Sequence, residues 1–397
     1  MTSSRKDVFI ASAVRTAIGV FGGSLKNHAP TDLAALCTKE AVARSGLNEA
    51  EIGQVFFGHV INTEPKDMYL ARVAALKAGL PIETPAMNVN RLCGSGLQAI
   101  VSAAQAITLG ECETAVAGGA EVMSRAPYLM QSARWGQKMG DSTVVDALVG
   151  ALSDPFGHGH MGVTAENISR RRQISREDQD TFAAESHKRA ARALEEKRFA
   201  GQIVAVTVKD GKGERAFDTD ENVRSDVAVE KLAGLKPVFE KAGTVTAGNA
   251  SSINDGAAAL VLASEEAIKR RNLKPLARII DWAHGGVEPD EMGLGPIPAV
   301  RRLLERTGLK IDDFDVIESN EAFAAQACAV ARDLGFPEDK TNPNGGAIAL
   351  GHPVGASGAI ITVKAIHELK RSGGRRGLAT MCIGGGQGIA VAFELVS

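Results

Sequence analysis

Aromatic side chains are scarce in this chain of 397 residues: Phe, Trp and Tyr together make up 4% of it. Proteins that bind single-stranded nucleic acid stack the bases on aromatic rings, so the scarcity argues against that class. The formal net charge of -2 gives no general attraction to nucleic acid or to an anionic membrane. The composition therefore predicts neither a nucleic-acid partner nor a membrane partner.

Paired cysteines and long apolar runs are also missing. The five cysteines are an odd number with no close pairing, which argues against a disulfide framework and favours a reducing cytoplasm. The sequence shows no apolar run of membrane-spanning length, and no signal or transit peptide before the strand pattern that begins at Val8. His158 and His160 lie close together, but no Cys or carboxylate cluster accompanies them, so we expect no metal site.

Glycine, in contrast, is abundant at 43 residues, and the chain is too long for one ordinary core, so we expect two or more domains. Strand patterns alternate with helix patterns, which predicts an α/β protein. The predicted elements of the first part are a strand at 8–13, a turn at 15–19, a helix capped by Thr31 or Asp32 and ending at Ala43, a strand at 52–60, a helix at 68–78, a strand at 85–92, a helix at 97–109 and a strand at 114–120.

One arrangement occurs twice along the chain. Ser95-Gly96 opens a small-residue helix that leads to a strand ending in glycines at 118–119. Ser357-Gly358 opens a similar helix that leads to a strand ending in glycines at 384–386. The similar spacing predicts an internal duplication, with a site between the matching strand ends. The stretch from Glu121 to Gly248 is charged and helical at 168–198, and we interpret it as a surface-rich insert that does not continue the sheet.

Cys93 is the first chemical candidate, because it lies between a predicted strand and a predicted helix. The orphan N–H groups and the dipole of that helix favour a thiolate. Gly94 and Gly96 would permit a tight turn there. The remaining cysteines, Cys37, Cys112 and Cys328, are expected to be inert packing residues.

The partners of Cys93 lie far downstream. His352 stands in a glycine-rich turn, and a Cys nucleophile with a remote His is an arrangement for acyl transfer. Cys382 ends a predicted strand and precedes three glycines. It offers a thiol base, and the glycines offer backbone N–H groups able to hold an oxyanion.

A rival hypothesis comes from the residues that follow Cys93. Residues 94–99 fit the dinucleotide fingerprint Gly-x-Gly-x-x-Ala, which would suggest an NAD(P)-dependent oxidoreductase. Close packing of the helix against a strand would explain the same glycines.

Five segments in order carry a family resemblance over essentially the whole chain: 90–96, 243–249, 320–323, 351–358 and 382–388. By these motifs the chain resembles the thiolases, specifically the biosynthetic acetyl-CoA acetyltransferases and the similar bacterial 3-ketoacyl-CoA thiolases. The resemblance implies two duplicated α/β halves packed in α-β-α-β-α layers with an inserted loop domain. The expected domains are an N-terminal half (1–121 plus 249–273), the loop domain (122–248) and a C-terminal half (274–397).

The resemblance also implies catalytic roles. Cys93 would accept the acyl group and His352 its proton, and Cys382 would take a proton from the α-carbon of acetyl-CoA. His352 and a water held by Asn320 would stabilise the enolate. The backbone N–H groups of Cys93 and Gly384 would hold the tetrahedral intermediate. The reaction would be the reversible condensation of two acetyl-CoA to acetoacetyl-CoA and CoA.

Further residues are expected along the substrate channel. Ser251 and Arg224 would contact coenzyme A, and His160 the thioester. The full set of channel residues is Leu152, His160, Met161, Arg224, Ser251, Met292, Ala322 and Phe323. CoA thioesters would be substrates with no separate cofactor, and the assembly a homotetramer built from dimers. Two residues depart from the family pattern: Ser319 stands where Ala is usual, and Ser252 where Gly is usual.

Other interpretations remain beside this one. A broader-chain 3-ketoacyl-CoA thiolase would share the same motifs. A non-catalytic acyl-carrier-binding protein of this fold would have lost catalytic groups, whereas Cys93, Asn320, His352 and Cys382 are all present. A β-ketoacyl synthase that condenses by decarboxylation would have no need of a thiol base at Cys382.

Overall fold

The computed structural model describes residues 6–396, which form fifteen strands and twelve α-helices. The strands are β1 (Val8–Thr16), β2 (Gly19–Val20), β3 (Gln54–Gly58), β4 (Ala86–Val89), β5 (Thr114–Val122), β6 (Tyr128–Leu129), β7 (Val145–Asp146), β8 (Ile203–Val204), β9 (Val206–Asp210), β10 (Gly213–Phe217), β11 (Asn254–Ser264), β12 (Ala277–Gly286), β13 (Val316–Ser319), β14 (Arg376–Ile383) and β15 (Gln387–Leu395).

The helices are α1 (Pro30–Ser45), α2 (Leu70–Lys77), α3 (Ser95–Leu109), α4 (Ala147–Ala151), α5 (Met161–Arg172), α6 (Arg176–Glu195), α7 (Val229–Ala233), α8 (Glu265–Arg271), α9 (Pro296–Thr307), α10 (Ala324–Leu334), α11 (Ala347–Leu350) and α12 (Val354–Ser372).

One mixed sheet runs through the described residues in the order β13-β14-β15-β12-β1-β11-β5-β3-β4. Helices α1 and α2 pack on the outer face of its first half, and α9 and α10 cover the outer side of its second half. Helices α3 and α12 lie between the halves, within the largest apolar core. These α-β-α-β-α layers confirm the predicted fold class.

The two halves repeat the same strand neighbours. After the central helix, β5 lies between parallel β3 and antiparallel β11, just as β14 lies between parallel β13 and antiparallel β15. The next strand in each half, β1 or β12, carries a register shift, after Ile10 or after Ile279. The halves join where β1 pairs with β12.

Several predicted boundaries are wrong. β1 continues through Thr16, where the sequence predicts a turn, because buried Arg15 finds a carboxylate partner in Asp220, with N···O distances of 2.7 and 2.9 Å. Helix α1 begins at Pro30, without the side-chain cap expected from Thr31 or Asp32. The predicted helical stretch 168–198 is two helices, because Gln173 ends α5 in the left-handed region at φ 54°.

Two further expectations need correction. The insert does contribute to the large sheet, because β8 pairs with β1 in parallel. The 18 residues Leu92–Leu109 are long and apolar enough to cross a membrane by composition, contrary to our expectation of no such run. They are 67% buried inside the fold as the segment containing α3, which marks α3 as a core helix.

Small residues set the distance between α3 and α12. A Cβ on Gly96 would lie 2.8 Å from the backbone nitrogen of Ala359, and one on Gly358 would lie 2.7 Å from the Cβ of Leu97. Contacts this short are essentially never observed for a real Cβ atom. The two glycines therefore let the helices from the two halves touch backbone to backbone, directly behind Cys93 and His352.

Candidate active site

Cys93 lies between β4 and α3 and is 8% exposed. The preceding residue, Leu92, lies in the turn between β4 and α3 and has a φ of 44°, an uncommon value for a bulky residue. Gly94 is not needed for a turn, since its φ is -77°. A Cβ there would lie 2.5 Å from Ile383 Cδ1, so close packing explains this glycine.

Burial raises the pKa of the Cys93 thiol to about 11, although the backbone N–H groups of Gly384 and of Cys93 itself lower it. The thiolate predicted from the helix terminus is therefore wrong for this structure, because loss of hydration outweighs those N–H groups. At neutral pH Cys93 is a thiol that needs a base. The same two N–H groups are the pair expected to hold an oxyanion, and they lie beside the sulfur.

His352 is 5% exposed and follows α11. Its Nδ1 lies 2.6 Å from Ser357 Oγ, and that hydroxyl donates to Pro353 O at 2.9 Å. Since the hydroxyl proton is used, Nδ1 carries the ring proton, and Nε2 presents a lone pair with no partner among the described residues. Burial lowers the pKa of His352 to about 4, so the ring is neutral and able to accept a proton.

The first half of the chain holds the turn that carries His352. Glu121, at the end region of β5, is fully buried and accepts the backbone N–H of Gly355 at 2.9 Å. The same carboxylate accepts N–H groups from Val60 and Ile61 at 3.0 and 3.1 Å. The start of α12 is thereby tied to the end of β3, next to β5.

Cys382 lies near the end of β14 and is 1% exposed. Burial, and secondarily the neighbouring Cys93, raise its pKa. Its Sγ lies 4.0 Å from Gln326 Oε1, which also accepts the backbone N–H of Ala322. Cys382 is thus a second protonated thiol beside the first.

Asn320 follows β13 and donates its backbone N–H to Thr380 O at 3.0 Å, which places it beside the strand of Cys382. It is 3% exposed, and its Nδ2 has no hydrogen-bond partner within residues 6–396. Buried polar atoms without partners are rare in folded proteins. A free amide donor near the second thiol fits the predicted role of holding a water.

A cavity of about 320 Å³ joins Cys93, His352 and Cys382. Ten of the thirteen predicted site residues line it: Cys93, Leu152, His160, Met161, Ser251, Met292, Ala322, Phe323, His352 and Cys382. Asn320 and Gly384 are buried outside its lining, with Gly384 touching Cys93 through its N–H. Arg224 is exposed away from the lining and donates its backbone N–H to His187 Nδ1 at 3.2 Å.

Sequence reasoning missed other wall residues. They are Met123, Val238, Phe239, Thr246, Ala247, Ala250, Ser252, Ile253 and Val354. Thr246 and Ala247 lie within one of the family motifs, and Ser252 was noted as a departure, so these positions carried a signal. Val238 and Phe239 lie in no motif that we recognised.

Phe239 shapes the channel by packing on two predicted residues. Its ring stacks on His160 at 4.8 Å between centroids and meets the edge of Phe323 at 6.3 Å. His160 Nδ1 accepts the backbone N–H of Gly162 at 3.0 Å, so Nε2 of the neutral ring carries the proton. His160 is therefore a hydrogen-bond donor, which suits contact with a thioester carbonyl.

The cavity wall also crosses between the halves. Ser251 donates its N–H to Ala322 O at 3.0 Å, and Ala324 donates to Asn249 O at 2.8 Å. The segment before β11 is therefore bonded to the start of α10 and to the residues just before it. These bonds tie the channel residues of the two halves together.

The rival interpretation of residues 94–99 is not favoured, because the backbone of α12 and the side chain of Ile383 occupy the space that faces Gly94 and Gly96. Across the described range 6–396, no group of three or more His, Cys, Asp or Glu residues is arranged to hold a metal ion.

Comparison with known proteins finds matches over nearly the whole chain. Residues 8–266 match the family model "Thiolase, N-terminal domain", and residues 273–395 match "Thiolase, C-terminal domain". The chain is 58% identical over 392 residues to the beta-ketothiolase BktB of Cupriavidus necator, covering 98% of this chain and 100% of that protein.

Two solved structures share the fold over nearly the full length. The acetyl-CoA acetyltransferase of Bacillus anthracis is 47% identical, with a TM-score of 0.96 and full coverage of both chains. The human mitochondrial 3-ketoacyl-CoA thiolase in complex with CoA is 43% identical, with a TM-score of 0.95 and coverage of 99% of this chain and 98% of that one.

Proposed function

The chain belongs to the thiolase family, and from this premise we propose that it catalyses the reversible condensation of two acetyl-CoA to acetoacetyl-CoA and CoA. The observation that carries the proposal is the meeting of Cys93, Cys382 and His352 on one cavity. The unpartnered Nε2 of His352 supplies the base that the protonated thiol of Cys93 needs.

The first half-reaction transfers an acetyl group to Cys93. His352 Nε2 accepts the thiol proton while the sulfur attacks the thioester carbonyl. The backbone N–H groups of Cys93 and Gly384, which lie beside the sulfur, hold the resulting oxyanion. Removing one such donor typically raises the activation barrier by about 3–4 kcal/mol. CoA leaves as the thiolate and takes the proton of Cys382, which becomes the base.

The second half-reaction forms the carbon–carbon bond. The Cys382 thiolate removes a proton from the α-carbon of the second acetyl-CoA, and the enolate attacks the acetyl group on Cys93. His352 and a water held by Asn320 would stabilise the enolate oxygen. Cys93 leaves as a thiolate and recovers its proton from His352, so the proton balance closes. The high pKa of buried Cys382 makes its thiolate a strong base for this step.

The channel residues suit a CoA thioester. Apolar side chains of Met161, Met292 and Phe323 surround the second thiol, and His160 offers its Nε2–H to the thioester. A broader range of 3-ketoacyl chains is the second candidate. It is favoured by the apolar side chains of Met123 and Val354, which also line the cavity.

An assay of thiolysis with 3-ketoacyl-CoA substrates of increasing length tests both candidates. Thiolysis of acetoacetyl-CoA is expected, with Cys93→Ser inactive and Cys112→Ser, a half-buried cysteine outside the cavity, unaffected. Absence of acetoacetyl-CoA thiolysis in the unmodified protein would refute the main proposal. Faster cleavage of longer chains would favour the second candidate.

The site residues supply all the acid–base groups of this reaction, so we propose that it proceeds without a metal or organic cofactor. All five cysteines are free, and on this ground we propose a cytoplasmic location. We also propose a homotetramer built from dimers. In its support, the segment containing β6 and β7 exposes large apolar side chains, with Trp135 85% and Met139 98% exposed. Light scattering of Trp135→Ser should show a smaller assembly, whereas Leu109→Ser, at a separate exposed position, should not.

A further inference from the structure

Asn254 lies between the two halves, at the start of β11 and fully buried. Its Oδ1 accepts the backbone N–H of His352 at 2.8 Å, and its Nδ2 donates to Gly19 O at 3.0 Å. One donor and one acceptor on opposite sides fix the orientation of this carboxamide. The backbone of the predicted catalytic base is therefore held by a residue of the other half.

The turn before His352 fits closely around Asn254. Gly351 has a φ of 116°, and a Cβ there would lie 2.5 Å from Asn254 Nδ2 and 2.7 Å from its Oδ1. The carboxamide thus packs flush against the turn, so that a displacement of Asn254 is passed to His352. The ring of His352 is held separately, by Ser357.

Ser252 adds a second donor to the same oxygen. Its Oγ donates to Asn254 Oδ1 at 2.8 Å, and the residue is half-buried on the cavity wall. Ser252 is also one of the two positions at which the sequence departs from the pattern that the resemblance implies, where glycine is expected. With both donors in place, Asn254 Oδ1 links the cavity wall to the backbone of His352.

We infer that Asn254 and Ser252 are positioning residues for His352, with Ser252 acting through Asn254. The inference rests on the proposed function in so far as His352 is the acceptor of the Cys93 proton. Removal of the Asn254 carboxamide leaves a buried N–H without its partner and loosens the turn. Because a base must lie within hydrogen-bond reach of its proton, a small shift lowers the rate steeply.

The test is a double-mutant cycle of Asn254→Ala and Ser252→Ala, read by kcat and KM and by the rate at which iodoacetamide modifies Cys93. Peptide mass spectrometry separates the modification of Cys93 from that of Cys382. We expect Asn254→Ala to lower kcat about 10-fold or more, in line with the cost of a misplaced group. Ser252→Ala should lower kcat about 2- to 5-fold, as expected for loss of one hydrogen bond of modest net strength. KM should stay nearly constant in both.

The cycle distinguishes a positioning role from a direct one. If Ser252 acts through Asn254, then Ser252→Ala has no further effect in the Asn254→Ala background, and Ser252→Gly behaves like Ser252→Ala. Additive effects, a change confined to KM, or full activity of Ser252→Ala would overturn the inference. Ser252→Ala changes a half-buried hydroxyl and should fold normally, which thermal unfolding checks.

The alkylation rate keeps this proposal separate from the proposed function, because its measurement needs no CoA substrate. A protein without thiolase activity would refute the proposed function alone. Alkylation of Cys93 that slows in His352→Ala but not in Asn254→Ala would refute the positioning inference alone.

Discussion

Replacing Gly358 by alanine tests whether the contact between α3 and α12 sets the geometry of the site. The new Cβ would lie 2.7 Å from Leu97 Cβ and 2.9 Å from Leu97 Cα, and closer still to its backbone nitrogen. Two of these atoms belong to the backbone, so a rotamer change cannot relieve the clash. The helices must separate, which moves Cys93 at the start of α3 away from His352 at the start of α12.

The magnitude follows from two opposing terms. Overpacking of a tight core costs about 1–3 kcal/mol. Alanine gains roughly 0.5–1 kcal/mol over glycine inside a helix. Because backbone atoms receive the clash, the cost falls at the upper end, and a net loss of about 2 kcal/mol of unfolding free energy is expected. A misplacement approaching 1 Å between catalytic groups can cost about 100-fold in rate, so kcat should fall about 10- to 100-fold.

Urea unfolding and steady-state thiolysis measure the two effects. Gly150→Ala is the matched control, since Gly150 lies in α4 and a Cβ there would meet nothing within 4 Å. The control should be at least as stable as the unmodified protein. If Gly358→Ala unfolds at the same urea concentration as the control and keeps its kcat, the helix contact does not set the site geometry.

Three further outcomes follow from the same structure. The rate of Cys93 alkylation should be nearly independent of pH around neutrality. It should fall as the pH drops towards 4, because the neutral His352 base is protonated there, and rise towards pH 11 as the thiol ionises. A rate maximum near pH 6 would contradict this prediction. Lys364→Met should lower the unfolding free energy measured in urea by about 3–5 kcal/mol, because buried Glu318, 2.7 Å from Lys364 Nζ, would lose its charge partner. Glu318→Gln in the same background should recover part of the loss. An unchanged unfolding free energy in Lys364→Met would show that the pair is not needed for stability. Phe239→Ala should raise the KM for acetoacetyl-CoA more than it lowers kcat, because the His160 ring loses the surface on which it stacks. An unchanged KM would show that Phe239 does not contribute to substrate binding.

The secondary structure around Cys93 is predictable because its signals are local. The strand before it, the small-residue helix after it and the next strand all lie between residues 86 and 122. The predicted end of that next strand is wrong, because Gly118 and Gly119 lie inside β5, which continues to Val122. The sequence predicts a turn at 15–19, which would take Arg15 out of its strand. The structure keeps Arg15 there, although a charged residue rarely stays in a core without a partner. Its partner, Asp220, lies 205 residues away, and no local pattern connects the two.

The ionisation of Cys93 shows a different limit. The helix terminus and the N–H groups do favour the thiolate, as the sequence indicates. The burial that opposes them depends on how tightly the two halves close over the sulfur, which a sequence does not state. Phe239 escapes prediction for the same reason, because its stacking on His160 arises from packing between separate segments.

The position of β1 has a consequence for synthesis of the protein on the ribosome. β1 lies at the centre of the sheet, and its main partners are β11 and β12, at residues 254–264 and 277–286. This apolar strand therefore cannot pair with its neighbouring strands until more than half of the chain has been translated. Central strands whose pairing is so non-local fold slowly and stay exposed to aggregation. The nascent chain is accordingly expected to depend on chaperones until β11 emerges.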